Sequence, residues 1–460
     1  MFLFKPKDRR FAAHSKSALS LAIALLLTLP SPLLAHARLV RSDPAANAKL
    51  TSSPSSILLV FTEVPELALS SVRLVRPGAD TVVLSSLSHH SGNRHILIAA
   101  LPAALEPGSY RVIWQVAASD GHATKGTIDF SVLPQAADTS VATAKAPATM
   151  PDEHDTGNIA IGGAIGAIIA RWISFIAIFL VIGVVAFRFL VLHRVSGDEE
   201  VFSHIGSTSA ATLGIFASAA GLVGAMLKLV RESSDMPDAS LGSLLFGSLW
   251  GVSLLLQAMG CVVAIAAFAA VHKTANATRA RAWTAALIAA IALAVSPPLG
   301  GHAAAAGNAW LAIPADIVHV TVGGMWLGTL ATIVVAGISA AFKTPDDTRP
   351  GPRVASMINT FSPLALMCGA AVVATGIASS VLRLTRVSDL WSTPYGITLL
   401  LKVFFVGMLF AAGAWNWRRM KPRLTGENAI APLRSTAWLE LLLATAVLGI
   451  TAILVALELP

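Results

Sequence analysis

Residues 159–191, IAIGGAIGAIIARWISFIAIFLVIGVVAFRFLV, form an almost wholly apolar run. It is long enough to cross the ~30 Å hydrocarbon core of a bilayer. The chain divides at this run. Behind it, further apolar segments lie approximately at 207–228, 241–271, 283–300, 310–342, 357–383, 396–418 and 435–458. The expected fold of residues 158–460 is therefore an all-α polytopic membrane bundle of about eight helices.

Composition agrees with that division. The chain is 55% hydrophobic and 13% charged, which excludes a simple soluble enzyme. Its formal charge of +8 does not mark nucleic-acid binding, because Lys and Arg fall mostly in short loops between apolar runs. Cys261 and Cys368 both sit in apolar segments and read as small core hydrophobes, so no disulfide framework is expected.

Upstream, residues 36–133 have a different grammar. Short runs of β character recur at Ile57–Phe61, Val72–Val75, His95–Ile98, Tyr110–Val116 and Thr127–Val132. Pro54, Pro77-Gly78, Pro107-Gly108 and Asp120-Gly121 punctuate them, a pattern that predicts an all-β, Ig-like sandwich of roughly seven strands. His89, His90 and His95 belong by their neighbours to a loop and an edge strand. Residues 134–157 are rich in Ala, Thr, Asp and Pro and read as a flexible linker, its Met150–Asp155 tract as solvated and acidic.

Residues 1–35 carry Lys5, Lys7, Arg9 and Arg10, an apolar stretch from Ala18 to Leu29, then Pro30, Pro32 and Ala35. That is the plan of a secretory signal peptide. An exported sandwich makes the first span enter from outside, which puts the loops near 192–206, 272–282, 343–356 and 418–434 inside. These hold about 12 Lys/Arg against about 4 in the outer loops, as the positive-inside rule requires. The expected location is a bacterial inner membrane, with the sandwich and the C-terminus in the periplasm.

Cleavage after Ala35 exposes His36 as a new terminus, whose amine and imidazole can chelate one metal ion together. Asp120 and His122 stand at i and i+2, positions that share a face in a strand. Two or three nitrogens and a carboxylate with tetragonal preference suit Cu(II) better than zinc or magnesium.

These stretches resemble a known family. His36-Ala-Arg-Leu-Val-Arg-Ser-Asp-Pro-Ala, Val60-Phe-Thr-Glu63 and Leu105-Glu-Pro-Gly-Ser-Tyr-Arg-Val-Ile-Trp114 leading into Ser119-Asp-Gly-His122 resemble the CopC periplasmic copper-binding proteins. Gly301-His302-Ala, His319 with Gly323-Gly-Met-Trp-Leu-Gly328, Thr375-Gly376, and Tyr395-Gly396 with Lys402 resemble the CopD membrane partner. The resemblance implies a CopC–CopD fusion that binds Cu(II) on His36, Asp120 and His122 with Glu63 close by. Residues 36–133 contain no methionine, so the Met-rich Cu(I) site of some CopC proteins does not carry over.

Within the membrane, ionisable groups are costly and mark candidate sites. Asp316 and His319 are three residues apart on one helix face. His302 lies in the uncharged loop just before, and Met325 adds a soft thioether suited to Cu(I). Asp316 is expected to orient His319 through a hydrogen bond or to add negative charge beside it, the alternative being an Asp–His bond that only locks helix packing. Arg171, Lys402 and Glu440 also sit in spans. Arg171 and Lys402 would repel a cation and suit packing, snorkelling or pairing with a carboxylate rather than ligation, and Met226, Met259 and Met367 read as core filling.

No Walker phosphate loop and no Asp-Lys-Thr-Gly occurs, so ATP-driven pumping has no support in the sequence. The leading reading is a non-enzymatic protein that captures Cu(II) outside and moves copper across the inner membrane. Its partners are the copper ion, the bilayer and other periplasmic copper carriers, not nucleic acid. Two other readings stand beside it: a tolerance protein that sequesters copper without moving it, and a haem-bearing membrane copper reductase. N-terminal sequencing of the mature protein should begin at His36, and one extra residue there should severely weaken Cu(II) binding. A start at Arg38 would remove the chelate.

Overall fold

The computed structural model describes residues 38–460 apart from 77–80, 85, 118–122, 135–156, 198, 238, 274–275, 306–307, 346–349, 421–429 and 458–459. The first unit is a two-sheet β-sandwich. One sheet holds β1 (Leu39–Asp43), β3 (Ser56–Phe61), β7 (Asn93–Ala100) and β6 (Leu87–His90) in that order. The other holds β2 (Ala48–Leu50), β9 (Ala123–Val132), β8 (Gly108–Ala117), β4 (Ser71–Val75) and β5 (Val82–Val83). Pairing is antiparallel except for β2 with β9.

All five predicted runs fall inside observed strands, and His89 and His90 do lie in an edge strand. Among the described residues there are nine strands, and the four outside those runs are short: β1 has five residues, β2 three, β5 two and β6 four. In β3 the alternation is clean, with Ile57, Leu59 and Phe61 buried and the residues between them half-buried. From β8, Tyr110, Val112, Trp114 and Val116 meet them across the core. Trp114 packs edge-on against Phe61 with ring centroids 5.3 Å apart. Opposite it in register is Gly126, where a Cβ would stand 2.5 Å from the indole, so only glycine lets the ring lie across β9.

Eight helices among the described residues are long and apolar enough to cross a membrane. Spans 1 to 4 are Ile165–Ser196, Glu200–Asp235, Leu249–Lys273 and Thr278–Leu299. Spans 5 to 8 are Ala309–Lys343, Pro350–Arg383, Pro394–Arg418 and Arg434–Leu454. The expected third segment, 241–271, is divided. Leu241–Phe246 forms a separate short helix whose Ser240 side chain accepts from the Ser243 N–H, and span 3 begins only at Leu249. Met226, Met259 and Met367 are exposed on the bundle surface, not packed in its core. Cys261 and Cys368 are buried free thiols.

Spans 1 and 5 form the buried heart of the bundle. They touch backbone to backbone: a Cβ on Gly183 would lie 1.9 Å from the Gly328 carbonyl carbon. Small residues permit such approaches in lipid, where dispersion and not hydrophobic burial drives helix association. Span 5 is π-helical at Gly324–Gly328 and Ile333–Gly337, a distortion that rotates the residues after His319.

The Thr385 hydroxyl, just past the end of span 6, donates to the Pro460 carbonyl at 3.0 Å. The C-terminus therefore lies at the bundle end where spans 2, 4, 6 and 8 finish. Gly183→Val should destabilise the membrane domain by about 1–3 kcal/mol through overpacking, read as a lower melting temperature in detergent. Gly166→Ala, with nothing within 4 Å of its added Cβ, should be neutral.

Candidate metal-handling sites

His36, Asp120 and His122 lie outside the described residues; the chain on either side of them does not. The Arg38 N–H donates to the Thr62 hydroxyl at 3.0 Å, and the Thr62 N–H donates to the Arg38 carbonyl at 2.9 Å. Arg38 is two residues from His36, and Thr62 is the neighbour of Glu63. Glu63 is half-buried just past the end of β3. Ala117 pairs with Ala123 across β8 and β9, so residues 118–122 join two strands held in register. Finally, the Glu66 N–H donates to the Ala117 carbonyl at 2.8 Å. All the segments flanking the predicted ligands thus gather at one end of the sandwich.

Glu66 is part of that end. Partial burial pushes its carboxyl above the usual range, while Arg94 and His89 pull it back. A raised carboxyl favours the folded state below the ordinary value of 4.5, and that contribution fades as pH rises through the raised one. The His89 Nε2 lies 2.8 Å from the Pro65 carbonyl, which ties β6 to the same segment.

This end is seated on the membrane bundle. The outward face of β8 is exposed at Arg111 and Ile113, half-buried at Gln115 and fully buried at Ala117. Strand alternation alone would leave Ala117 in water. Instead it packs with Leu69 against Met236 and Leu244, which follow span 2. The Gln115 side chain donates to the Asp235 carbonyl at 3.0 Å, and a Cβ on Gly247 would stand 2.7 Å from the Ala68 Cβ.

A separate polar cluster lies between spans 5, 6 and 7. Asp316 accepts from the Ser379 hydroxyl at 2.9 Å and forms an ion pair with Arg383. Tyr395 hydrogen-bonds Arg383, and Lys402 is within electrostatic range of both charges. The expected Asp316–His319 bond is absent, because both Asp316 oxygens are engaged by span 6. His319 instead sits with Nδ1 2.9 Å from the Thr375 hydroxyl. That hydroxyl donates to the Ala371 carbonyl at 2.7 Å, so it accepts from the Nδ1 N–H. That arrangement leaves the lone pair on Nε2, one of the two ring nitrogens through which a neutral imidazole can ligate a metal.

Met325 is not brought to His319. With Ile317 and Thr321 it lines an apolar groove facing spans 1 and 4, on another face of the helix. His302 opens the four-residue helix His302–Ala305 between spans 4 and 5, and its side chain is not among those described. Among the described residues no three His, Cys, Asp or Glu gather closely enough to hold a metal ion.

The sequence reading passed over Ser379 and Arg383, and used Thr375 and Tyr395 only as family marks. Two residues that close the cluster, Ser379 and Arg383, lie one helical turn apart on span 6, a signal available before folding. It also missed a second network: Lys228 donates to Gln257 at 2.7 Å, and Gln257 donates to Ser174 at 3.1 Å and to the Gly221 carbonyl at 2.9 Å. Glu440, which the sequence reading left without a role, accepts from the Asn416 side chain.

A β-sandwich seated by its loop end on an eight-span bundle defines a membrane protein with an attached binding domain. Residues 39–133 match the family described as CopC domain. Residues 162–312 match Copper resistance protein D-like, N-terminal domain, and residues 355–454 match Copper resistance protein D. The chain is 26% identical over 420 residues to the copper transport protein CutJ of Bacillus subtilis (strain 168), covering 88% of this chain and 72% of that one. Protein YobA of Escherichia coli (strain K12) is 37% identical over 122 residues, 26% of this chain and 98% of its own. Copper resistance protein C of Xanthomonas campestris pv. juglandis is 33% identical over 127 residues, again 26% of this chain and 98% of its own. The chain belongs to the CopC family through its sandwich and continues as a CopD-like membrane domain, a CopC–CopD fusion in one polypeptide.

Breaking the Asp316–Arg383 pair should cost stability. Arg383→Leu is expected to lower it by about 1–3 kcal/mol, less than the ~3–5 kcal/mol of a fully buried pair, since the side chains keep 18% and 20% exposure. Adding Asp316→Asn should restore part of the loss in thermal melts of the detergent-solubilised protein.

Proposed function

We propose that this protein captures Cu(II) in the periplasm through His36, Asp120 and His122, with Glu63 beside them, and hands copper to its own membrane domain for passage inward. The observation that carries this reading is the burial of Ala117 against Met236. Ala117 immediately precedes the loop that bears Asp120 and His122, so that loop begins at the membrane seam and not at the far end of the sandwich.

Within the bundle, His319 is the entry ligand, and His302 on the preceding short helix joins it from the outer end. Asp316 orients span 6 through Ser379 and Arg383, and so fixes Thr375 beneath the imidazole. The charges around His319 favour a monovalent cargo. Arg383 and Lys402 oppose a cation and, among the described residues, Asp316 alone offsets them, so Cu(I) meets half the repulsion that Cu(II) does. That same excess of positive charge is what favours the second reading, tolerance by sequestration without translocation.

Radioactive copper uptake into proteoliposomes separates the two. Under the transport reading, wild-type vesicles accumulate copper and His319→Ala vesicles do not, while both proteins titrate with Cu(II) alike. Met236→Asp, which places a carboxylate at the seam, should slow uptake without changing Cu(II) affinity. A well-folded His319→Ala protein that transports at the normal rate would refute the membrane path.

A further inference from the structure

In the half of span 8 away from the sandwich, the carboxyl of Glu440 is buried beside a neutral partner. It stands six residues past Arg434, where the span begins, about 9 Å along the helix, and is 7% exposed. Its one polar partner among the described residues is Asn416, whose Nδ2–H donates to Oε1. The other oxygen, Oε2, faces Gly413, which has no side chain to donate; a Cβ there would stand 3.9 Å away. The stretches packed against span 8 carry Arg171 on span 1, Tyr395, Lys402, Arg418 and Arg419 on span 7, and no titratable residue on span 5. Tyr395 and Lys402 belong to the Asp316 cluster and Arg418 is exposed. No charged side chain among the described residues acts on Glu440.

Asn416 opens the π-helical turn Asn416–Met420 at the end of span 7, and its Oδ1 is buried with no hydrogen-bond partner. The pair therefore holds two acceptors, Oε2 and Oδ1, with no hydrogen for either. As a carboxylate it would also keep a full charge inside a span. Both are costly in a bilayer, where no water replaces the missing bond. A hard metal cation needs about six oxygens or more, and Cu(I) takes softer ligands than these two. One proton removes both costs. On Oε2 it cancels the charge and supplies the donor that Oδ1 lacks, which closes an acid–amide pair with two hydrogen bonds.

We propose that Glu440 and Asn416 form a proton-binding site, and that Glu440 gives up and regains its proton as the bundle moves copper. Ionisable groups inside spans serve as proton relays in pumps and transporters. Only the Oε2–H bond breaks and re-forms; the proton passes to water and returns from it, and no electron is transferred. Without a phosphate-binding loop, such a proton is a means of tying copper movement to a second gradient. The coupling rests on the transport reading given above, whereas the proton site itself stands apart from it.

The test reads the full chain in nanodiscs by infrared spectroscopy at neutral pH, in light and heavy water. The wild type should show a carboxylic-acid C=O band that moves to lower frequency in heavy water and is lost in Glu440→Gln. Glutamine offers Asn416 the same acceptor and donor as the protonated acid, so that variant should melt no lower than the wild type. Asn416→Leu should keep the band and move it to higher frequency, a second readout if Glu440→Gln fails to fold. In proteoliposomes holding a pH dye, copper uptake by the wild type should move protons, and Glu440→Gln should lose that proton movement. A wild type without the band, or a band that survives Glu440→Gln unmoved by Asn416→Leu, overturns the proton site whether or not copper moves. A band that behaves as described beside copper uptake that moves no proton overturns the coupling and leaves the transport reading standing. Uptake absent in the wild type refutes the transport reading and the coupling with it, and the infrared bands alone then decide the site.

Discussion

The contact between Ala117 and Met236 is the constraint on which the rest of the molecule depends. A strand of a free sandwich would turn its outward face to water along its whole length. β8 does so at Arg111 and Ile113 and stops doing so at Ala117, because the helical segment after span 2 covers it. Small size matters here: alanine lets β8 and the helix approach, and Leu69 and Leu244 fill the space beside it. The consequence is positional. Arg38, Glu63 and the Ala117–Ala123 strand ends occupy the one pole of the sandwich that faces the bundle. Two domains that could have been separate proteins are held at a fixed seam.

The polar cluster between spans 5, 6 and 7 follows the physics of the bilayer. Charged groups survive there only in partnership, and Asp316 finds its partners on span 6, not on its own helix. That pairing leaves His319 to Thr375, whose hydroxyl engages Nδ1 and turns Nε2 away from it. An aspartate that simply held His319 would have tied span 5 to itself. The observed arrangement ties span 5 to span 6 at two heights, through Asp316 and through His319, and gives the imidazole a defined orientation.

Much of this was legible in the sequence. Long apolar runs gave the eight spans, and period-two patterning with Pro and Gly punctuation gave five of the strands. The remainder was hidden for physical reasons. β2 and β5 are too short to show a period. The break at Phe246–Leu249 lies within an apolar stretch, where hydropathy does not distinguish a kink from a continuous helix. Met325 was aligned with His319 by spacing, but the π-helical turn from Gly324 belongs to a face that looks at spans 1 and 4. The Asp316–His319 pairing failed because sequence shows neighbours along one helix and not the competing donors of the next. Residues 36, 120 and 122, which carry the sharpest chemical reading, lie outside the described residues, so only their flanks bear on it.

The central claim is that the pole of the sandwich proposed to capture copper rests on the membrane domain, and the rim of the seam offers a direct measurement. In a variant lacking Cys261 and Cys368, cysteines at Gln115 and Asp235 can be bridged by a short bismaleimide in native membranes. Gln115 donates to the Asp235 carbonyl at 3.0 Å, so the account predicts rapid, near-complete intramolecular cross-linking with copper transport retained. Absence of cross-linking, or transport abolished once the two are joined, would mean that the sandwich works away from the bundle and would contradict it.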